Sequence, residues 1–429
     1  MTNNVKGISL DVFGNVIDQE VGYARGKILQ DSFSEKTKQQ HAVRCIKEYI
    51  ETYGEDKLYI FTGNIRDNQL ETGDLGIRSE EWVGPSLFQH ELKKAVLNHF
   101  GLEGNHHEEY DIAIFNRTSA AIISSILAFS KPDTTVISFA AGKKAHPSVS
   151  RGVKLAKANL FEIDNSEELN QIDLPKGTVC VVTGVTSELL ILDREEIING
   201  IKIAKEKGFI VVVDDAYGAR IRPILLGHPH ALNMGADIVI SNNDKAALHG
   251  PRAGVMGGKK DLVIKASAKA SEFGLEARAP IALAVLRSIS NFREQDLIGE
   301  KNVGDLLFEK LSQELGTDKV RKTLLGPEIS AENVTKYILE RKNIQSINLV
   351  PAEISTAIGF ILLEKYGIIT TNTCGMPGAR VSLRLKTSED TVIRFGGIDL
   401  LVQAVLNSIN TVADYVKDEQ KIKRLILGQ

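Results

Sequence analysis

Residues 241–258 read SNNDKAALHGPRAGVMGG and directly follow an apolar run, DIVI, at 237–240. A single lysine, Lys245, stands among small polar residues there, and a Gly-Pro turn at 250–251 follows it. A lone lysine is most often a solvated surface charge. Whether Lys245 has a chemical role therefore depends on the segments that precede it and on where a fold would bring their ends.

The segments before Lys245 alternate between short apolar runs and amphipathic stretches. The apolar runs predict strands at 111–115, 135–139, 178–183, 209–213 and 237–241. The stretches between them predict helices at 118–130, 147–157, 194–207 and 224–234. This alternation is typical of a mostly parallel sheet covered on both faces. Right-handed crossovers then bring the carboxyl ends of the strands to one edge, where open α/β sheets bind ligands.

The length of the chain and its pattern of predicted strands and helices divide it into three parts. Its 429 residues exceed what a single core usually holds, so more than one lobe is expected. The α/β alternation occupies 56–300, after a segment of mixed character at 1–55. Residues 301–429 end in a helix, two strands around a Gly-Pro turn, and a long helix. The sequence thus predicts an N-terminal segment, a large α/β domain and a small C-terminal α+β domain.

Composition narrows the class of protein. The chain is 43% hydrophobic and 25% charged with a net charge of −3, which argues against a large nucleic-acid footprint. Cys45, Cys180 and Cys374 fit no metal or disulfide spacing, so we expect no metal and a reducing compartment. The N-terminus lacks a signal-peptide pattern, and the apolar runs are too short for a bilayer. We therefore expect a cytoplasmic protein with no membrane partner.

Two polar clusters follow the first two predicted strands. Thr118 and Ser119 stand where a helix begins, and free backbone N–H groups there favour an anion such as phosphate. Arg117 adds a positive charge, although a plain N-cap explains the same residues. After the second strand, His146 precedes a Pro-Ser helix start. Its ring has two interpretations, stacking on an aromatic ligand or satisfying a loop hydrogen bond.

The later strands end in hydroxyls, acids and the lysine. Thr186 follows the third strand and either reaches a ligand or closes a local turn. Asp214 and Asp215 come just where a run of valines stops, and a carboxylate there needs a cation or N–H donor. Lys245 follows about thirty residues later, the length of one crossover, so both side chains reach the same edge.

Together these residues match the needs of one cofactor. Pyridoxal phosphate requires a lysine for a Schiff base, an acid at the pyridinium nitrogen, a phosphate cradle and a group to cover its ring. An adjacent carboxylate keeps the ring nitrogen protonated, because an opposite charge favours the charged form. The sequence therefore predicts a pyridoxal phosphate site at the carboxyl edge of the sheet.

The amino-acid sequences of the segments around these residues resemble those of fold-type I pyridoxal phosphate enzymes, the aspartate aminotransferase superfamily. They are similar in particular to the selenocysteine synthase (seryl-tRNA selenium transferase) group and its shorter archaeal relatives. The resemblance implies a mostly parallel, seven-stranded sheet with a small C-terminal lobe. The segments that carry it lie between about 110 and 385 and read FNRTSAAI, AHPSV, VVDDAYGAR, SNNDKAALHGPRAGVMGGKK, FGLEARAP and GMPGARVSLRL.

The resemblance implies a role for each matching residue. Lys245 would form the internal aldimine and move protons at the substrate Cα, with Asp214 at the pyridinium nitrogen and Asp215 as the alternative. His146 would stack on the ring. The remaining implied contacts are phosphate binding by Thr118, Ser119, Ser241 and Arg117, cofactor contact by Thr186, and substrate binding by Arg384, Arg252 and Arg278.

The resemblance also implies a class of reaction. We expect β-elimination or β-replacement on a small amino acid, with racemisation, aldol cleavage and transamination as alternatives that begin in the same way. A selenium transferase acting on seryl-tRNA is a further alternative. It is disfavoured because residues 1–55 do not resemble the RNA-binding module of the bacterial enzyme. Members of the superfamily build each active site from two subunits, so we expect a homodimer or larger homo-oligomer.

Overall fold

A computed structural model describes residues 9–18, 20–104, 108–173 and 179–429. It contains two compact units, an α/β unit at Asn64–Leu297 and a composite unit that joins Met1–Gly63 to Ile298–Gln429. The sequence-based division set 1–55 apart, and the structure corrects this. Ala42 and Cys45 of that segment are buried in one apolar cluster with residues such as Leu362 and Leu401, so burial of shared apolar surface joins the two ends of the chain.

Strands and helices are numbered in chain order. The strands are β1 Ile17–Asp18, β2 Tyr23–Ala24, β3 Tyr59–Ile60, β4 Tyr110–Phe115, β5 Thr135–Ala140, β6 Asn159–Ile163, β7 Val179–Thr183, β8 Ile210–Asp214, β9 Ile238–Asn242, β10 Gly254–Lys259, β11 Val320–Thr323, β12 Gly326–Ile329, β13 Ile368–Ile369 and β14 Leu383–Arg384. The helices are α1 Ser32–Tyr53, α2 Val83–His99, α3 Thr118–Phe129, α4 Pro147–Ala156, α5 Ser166–Gln171, α6 Arg194–Glu206, α7 Gly218–Arg220, α8 Lys260–Glu272, α9 Ala279–Ser290, α10 Glu294–Leu315, α11 Ala331–Lys342, α12 Pro351–Tyr366, α13 Thr371–Cys374, α14 Glu389–Phe395, α15 Ile398–Tyr415 and α16 Glu419–Leu427.

The α/β unit is organised around one seven-stranded sheet. Its strand order is β4-β10-β9-β8-β7-β5-β6, and only β10 runs antiparallel to its neighbours. The predicted fold class is confirmed, and each of the five predicted strands agrees to within one residue at either end (residue 178 lies outside the described part). Strands β6 and β10 were not predicted, because NLFEI is largely exposed and GVMGGK reads as a glycine turn.

Valine-rich strands place this sheet between two cores. Val179 and Val181 face one apolar cluster, while Cys180 and Val182 on the same strand face the other. This alternation follows from the two-residue period of a strand, whose successive side chains point to opposite faces. Burial of both faces explains why the central strands read as continuous apolar runs.

The helix predicted at 224–234 is wrong. The structure has only a π-helical turn at Ile221–Leu225 and a 3-10 turn at Leu232–Met234. Pro223 and Pro229 cannot donate helical hydrogen bonds, and Gly227 between them takes a left-handed backbone with φ of 64°. The apolar periodicity of the segment is therefore overridden by its chain-breaking residues.

Hydrogen bonds anchor the N-terminal residues within the composite unit. Glu353, at the start of α12, is fully buried and its Oε1 accepts from the backbone N–H groups of Ile28 at 2.6 Å and Leu29 at 3.0 Å. Its Oε2 accepts from the Val350 N–H at 3.2 Å. The unit also contains the antiparallel sheet β11-β12-β14 and the parallel pair β13-β3. Within the described residues, no single helix combines the length and apolarity of a membrane span, although the bent pair α14 and α15 does so jointly.

Candidate active site

The ends of β7, β8 and β9 bring two predicted site residues together in the α/β unit. Asp214 is the last residue of β8 and lies in register with Thr183 at the end of β7. Lys245 follows β9 by three residues, and its charge acts on the Asp214 carboxyl. The Lys245 Nζ lies 4.6 Å from the ring centroid of Tyr217, which follows β8. The strand ends thus hold an amine and an acid on one edge, as the sequence predicts.

Burial sets the protonation of Asp214. Desolvation raises its pKa to about 6 from an ordinary 3.8, while the Lys245 charge and the Ala216 N–H, at 3.4 Å from Oδ1, act in the opposite direction. The neighbouring carboxylate of Asp215 raises it further. Asp214 is therefore a buried acid that gains from an additional positive partner, which is what a pyridinium nitrogen offers.

Asp215 has a different environment from Asp214. It is buried in an ion pair with Arg222, whose Nε donates to Oδ1 at 3.1 Å and whose Nη2 donates to Oδ2. Arg222 is itself fully buried and also donates to the Pro229 carbonyl at 3.2 Å. A Cβ at Gly218 would lie 1.9 Å from Asp215 Oδ1, so glycine is required there. These contacts favour Asp214 over Asp215 at the cofactor nitrogen.

A second buried arginine lies behind the strand ends and was not singled out from the sequence. Arg220 donates to Ser241 Oγ at 3.3 Å, to Asn242 Oδ1 at 2.8 Å, and contacts His99 Nε2 at 3.1 Å. Burial, with the charge of Arg220, lowers the pKa of His99 to about 3. Ser241 Oγ donates its one proton to the Asp215 carbonyl at 3.1 Å. This use of the hydroxyl does not fit the phosphate contact implied for Ser241, because no proton is left to donate to a phosphate.

The predicted phosphate cradle is a pair of linked helix starts. Thr118 and Ser119 open α3, and Ser148 in the first turn of α4 donates its hydroxyl to Ser119 Oγ at 2.8 Å. His146 is the N-cap of α4, and its Nδ1 accepts from the Ser148 N–H at 3.2 Å. A Cβ at Gly254 would lie 2.7 Å from the Thr118 nitrogen, so β10 needs glycine where it passes α3. The structure thus connects His146 to the anion-binding end of α3.

Positive charge is concentrated beside these helix starts. Desolvation and the nearby charges of Arg117 and Arg66 lower the pKa of Arg252 to about 10. Desolvation and Arg66 likewise lower the pKa of Arg117. Asp244 partly offsets these charges, since Arg66 Nε donates to its Oδ2 at 2.9 Å. Arginines crowded in this way are stabilised by an anion. Arg66 was missed from the sequence, which carries no motif around it.

The three other predicted contacts have different surroundings. Thr186 Oγ1 accepts from the backbone N–H groups of Glu188 at 3.2 Å and Leu190 at 3.1 Å, which closes its own loop. Arg278 is exposed at the N-cap of α9. Arg384 belongs to the composite unit, where its Nη2 donates to Glu328 Oε1 at 2.6 Å. Burial alone would raise the pKa of Glu328, but Arg384, Ser382 and Arg321 lower it to about 2. Arg384 thus already holds a carboxylate of the protein.

Orphaned polar atoms and local strain mark the same edge. The Thr183 hydroxyl and the Asn243 amide are buried and have no hydrogen-bond partner within the described residues. After Lys245, Ala246 and Ala247 both take left-handed backbone, with φ of 51° and 59°. Such a conformation destabilises a non-glycine residue by about 1–2 kcal/mol, and strain of this kind concentrates at functional sites. Buried acid, amine, helix starts and unpaired polar atoms together fit a polar, phosphate-bearing cofactor.

Comparisons with known proteins identify relatives over nearly the whole chain. A UPF0425 pyridoxal phosphate-dependent protein of Methanothermobacter thermautotrophicus is 34% identical over 407 residues, which is 94% of this chain and 100% of the relative. One of Methanococcus maripaludis is 34% identical over 382 residues, or 88% of this chain and 99% of the relative. Residues 317–394 match the UPF0425 C-terminal domain.

Solved structures share the fold at low sequence identity. Serine palmitoyltransferase of Sphingomonas wittichii has a TM-score of 0.54 and 14% identity, covering 86% of this chain and 84% of its own. Aspartate aminotransferase of Thermus thermophilus, with maleate, has a TM-score of 0.52 and 16% identity, covering 85% of this chain and 96% of its own. At these identities the likeness shows the fold alone.

Proposed function

The chain belongs to the UPF0425 family of pyridoxal phosphate-dependent proteins, and from this premise we propose that it eliminates or replaces the β-substituent of a small amino acid. The predicted cofactor, pyridoxal phosphate, is confirmed by the names of the curated relatives. The observation that carries the proposal is that the charge of Lys245 acts on the buried carboxyl of Asp214 at the strand ends.

Each side chain at the edge has a distinct task in this proposal. Bound pyridoxal phosphate supplies an electron-withdrawing ring that stabilises negative charge at the substrate Cα. Lys245 would hold the cofactor through its side-chain amine and would take up the proton from the substrate Cα. Asp214 keeps the ring nitrogen protonated, because a buried carboxylate stabilises the positive charge beside it. His146 covers the ring from the N-cap of α4.

Anion recognition is divided between helix starts and arginines. Thr118 and Ser119, with Arg117, hold the cofactor phosphate, because free N–H groups and hydroxyls at a helix start favour an anion. Arg66 lowers the pKa of Arg117, and Arg117 and Arg66 together lower that of Arg252, so the three guanidinium groups lie near one another. We assign them to the carboxylate or another acidic group of the substrate, with Arg278 as a further candidate.

The choice of β-elimination or β-replacement rests on the likeness of the motifs to the selenium transferase group. In that chemistry Lys245 would take the Cα proton and the β-substituent would leave with its bonding electrons. Hydrolysis by water would then release a keto acid and ammonia, whereas a sulfur or selenium nucleophile would add at Cβ and Lys245 would return the proton to Cα. A seryl-tRNA substrate would need a basic surface with salt-sensitive RNA binding. The net charge of −3 favours a free amino acid instead.

The reaction is tested by screening amino acids against the cofactor-loaded protein. We expect serine, cysteine or a similar β-substituted amino acid to change the visible cofactor absorbance and to release ammonia and a keto acid, or a β-substituted product when thiol is added. Formation of the D-enantiomer would instead identify a racemase. Release of glycine and an aldehyde would identify an aldolase, and transfer of the amino group to a keto acid would identify an aminotransferase. Retention of tRNA at low salt would favour the tRNA alternative, and no response to any amino acid would contradict the proposal.

We also propose that the protein acts as a homodimer or larger homo-oligomer. An apolar surface segment, Leu75 to Leu87, supports this, because its Trp82 is 88% exposed and Leu75, Ile77 and Leu87 are each more than half exposed. We expect light scattering to give a multiple of the 47.0 kDa chain mass for the wild type, and the single mass for Trp82→Glu. Phe273→Glu, at an exposed apolar residue outside the segment, is the matched control. A monomeric wild type would overturn this proposal.

A further inference from the structure

The composite unit contains a cluster of three different metal-ligand side chains. His41 and Cys45 lie one helical turn apart on α1, and Glu364 extends from the last turn of α12. Their donor atoms all lie within 4.8 Å of one another. Cys45 is buried, His41 is half-buried and Glu364 is exposed, so the cluster extends from a buried thiol to the protein surface. A metal ion could therefore enter from solvent.

The distances from the Cys45 sulfur are close to those of a tetrahedral site. The Cys45 Sγ is 3.6 Å from His41 Nε2, 3.8 Å from His41 Nδ1, and 3.8 Å from Glu364 Oε1. In a tetrahedral zinc site the bond lengths to sulfur and to nitrogen or oxygen place two donor atoms about 3.5 Å apart. The sulfur is thus within a few tenths of an ångström of the required spacing, whereas the donor atoms of His41 and Glu364, within 4.8 Å, have to move closer together to share one ion.

Aromatic stacking orients the histidine of the cluster. The imidazole stacks on the buried ring of Phe360 with centroids 5.2 Å apart. The Leu425 backbone and the Arg44 charge both act on the His41 ring, and Nη2 of Arg44 lies 3.4 Å from His41 Nδ1. A ligating histidine gives one ring nitrogen to the metal and usually donates the other N–H to a carbonyl or carboxylate, so the Arg44 guanidinium has to turn away from the ring when zinc binds.

A fourth oxygen donor is close to the same three residues. Glu48 lies one turn after Cys45 on α1, and its charge acts on His41, Cys45 and Glu364 alike. Thiolate, imidazole and carboxylate together favour zinc over magnesium or calcium, which prefer oxygen donors alone. The donor set therefore has three members in place and a fourth within electrostatic reach.

We propose that His41, Cys45 and Glu364, with Glu48 or water in the fourth position, bind one Zn²⁺ ion. The ion joins α1 of the N-terminal part to α12 of the C-terminal part, and its ligands share no residue with the edge that holds Lys245. Cysteine spacing could not indicate this site, because the partners of Cys45 are a histidine one turn away and an acid more than 300 residues later. It replaces the expectation that no metal is bound.

The test uses the full-length, cofactor-loaded protein purified without a polyhistidine tag. After incubation with Zn²⁺ and dialysis, we expect about one zinc per chain by mass spectrometry of the metal. X-ray absorption at the zinc edge should then show one sulfur neighbour at about 2.3 Å. Cys45→Ser should remove that sulfur. Glu364→Gln should weaken zinc binding more than about tenfold, since even outer-shell partners are worth about 10- to 100-fold.

Matched measurements separate a lost ligand from a damaged fold. Cys374→Ser removes a cysteine of the same unit and should leave both the zinc content and the sulfur signal unchanged. Pyridoxal phosphate content should be equal in all variants, because the cofactor site uses other residues. If Cys45→Ser does not fold, alkylation of the cysteines of the wild type tests the site instead. Zn²⁺ should protect the thiol of Cys45, and not that of Cys374, from the alkylating reagent. Zinc that does not survive dialysis, a zinc shell without sulfur, or Cys45 alkylated equally with and without zinc would overturn the proposal.

Discussion

Replacement of Lys245 by alanine is expected to lower turnover of the amino acid substrate by at least about a thousandfold. The reason is that one side chain both attaches the cofactor and moves the proton at Cα, and a positioned acid–base group alone contributes about 10²- to 10⁴-fold. The same variant should lose the visible absorbance of the lysine-bound cofactor. Borohydride reduction followed by peptide mass spectrometry should place the cofactor on the Lys245 peptide in the wild type and on no peptide in the variant.

Lys260→Ala is the matched control for this prediction. Lys260 lies in the same unit, at the start of α8, and its side chain is exposed. This variant should keep wild-type turnover, absorbance and labelling. Cofactor attached to any other lysine of the wild type, or full activity of Lys245→Ala, would contradict the assignment of Lys245.

Exchange of each of the two adjacent aspartates for asparagine is expected to change stability in opposite directions. Asp215→Asn should destabilise the cofactor-free protein by about 3–5 kcal/mol, because it leaves the fully buried guanidinium of Arg222 without its counter-charge. Thermal unfolding of the cofactor-free variant should therefore begin well below that of the wild type. Arg222→Met should cause a smaller additional loss in the Asp215→Asn background than alone, since both changes remove the same pair.

Asp214→Asn should instead stabilise the cofactor-free protein at neutral pH. The folded-state pKa of Asp214 is about 6 and its ordinary value is 3.8, so the folded protein binds this proton more tightly than the unfolded chain. The wild type consequently loses stability as pH rises from about 4 to about 6, and the loss amounts to about 3 kcal/mol above that range. Asparagine removes this penalty.

Melting of both asparagine variants at pH 4.5 and pH 8 checks this prediction. The advantage of Asp214→Asn over the wild type should be about 3 kcal/mol at pH 8 and fall to roughly a third of that at pH 4.5. Adding pyridoxal phosphate should reverse the order at pH 8, because the wild-type carboxylate then has the pyridinium nitrogen as partner. A variant that is no more stable than the wild type at pH 8 would show that the buried carboxylate is already compensated within the protein.

Several features of the site could be predicted from the sequence because they depend on local order along the chain. The runs that end at Asp214 and before Lys245 predicted neighbouring strands, and the parallel sheet with its shared carboxyl edge followed from their alternation with helices. The solved structures confirm the predicted fold class, and the relatives confirm the predicted cofactor. The individual roles of Lys245, Asp214 and His146 stay predictions, now supported by the electrostatic interaction and the helix starts that the structure describes.

The contacts that distinguish similar residues depend on partners that no local pattern indicates. Asp214 and Asp215 are equivalent in the sequence, and they differ only because a π-helical turn brings Arg222 back to Asp215. The phosphate contact implied for Ser241 does not fit for a similar reason, since its hydroxyl donates to the carbonyl of Asp215 just after the adjacent strand. Local periodicity carries no information about such partners, because they meet only when separate segments pack.

By itself, then, the sequence determined most of the succession of strands and helices and the edge where their polar ends meet, and it predicted the lysine and the pair of acids that stand there. The tertiary structure alone decided which aspartate is buried against a counter-charge, which arginines crowd beside the helix starts, and that the first and last parts of the chain form one unit with His41, Cys45 and Glu364 together. The physical reason is range. Hydrophobic period and chain-breaking residues act over a few positions, whereas ion pairing, desolvation and metal coordination depend on atoms brought together from distant parts of the chain.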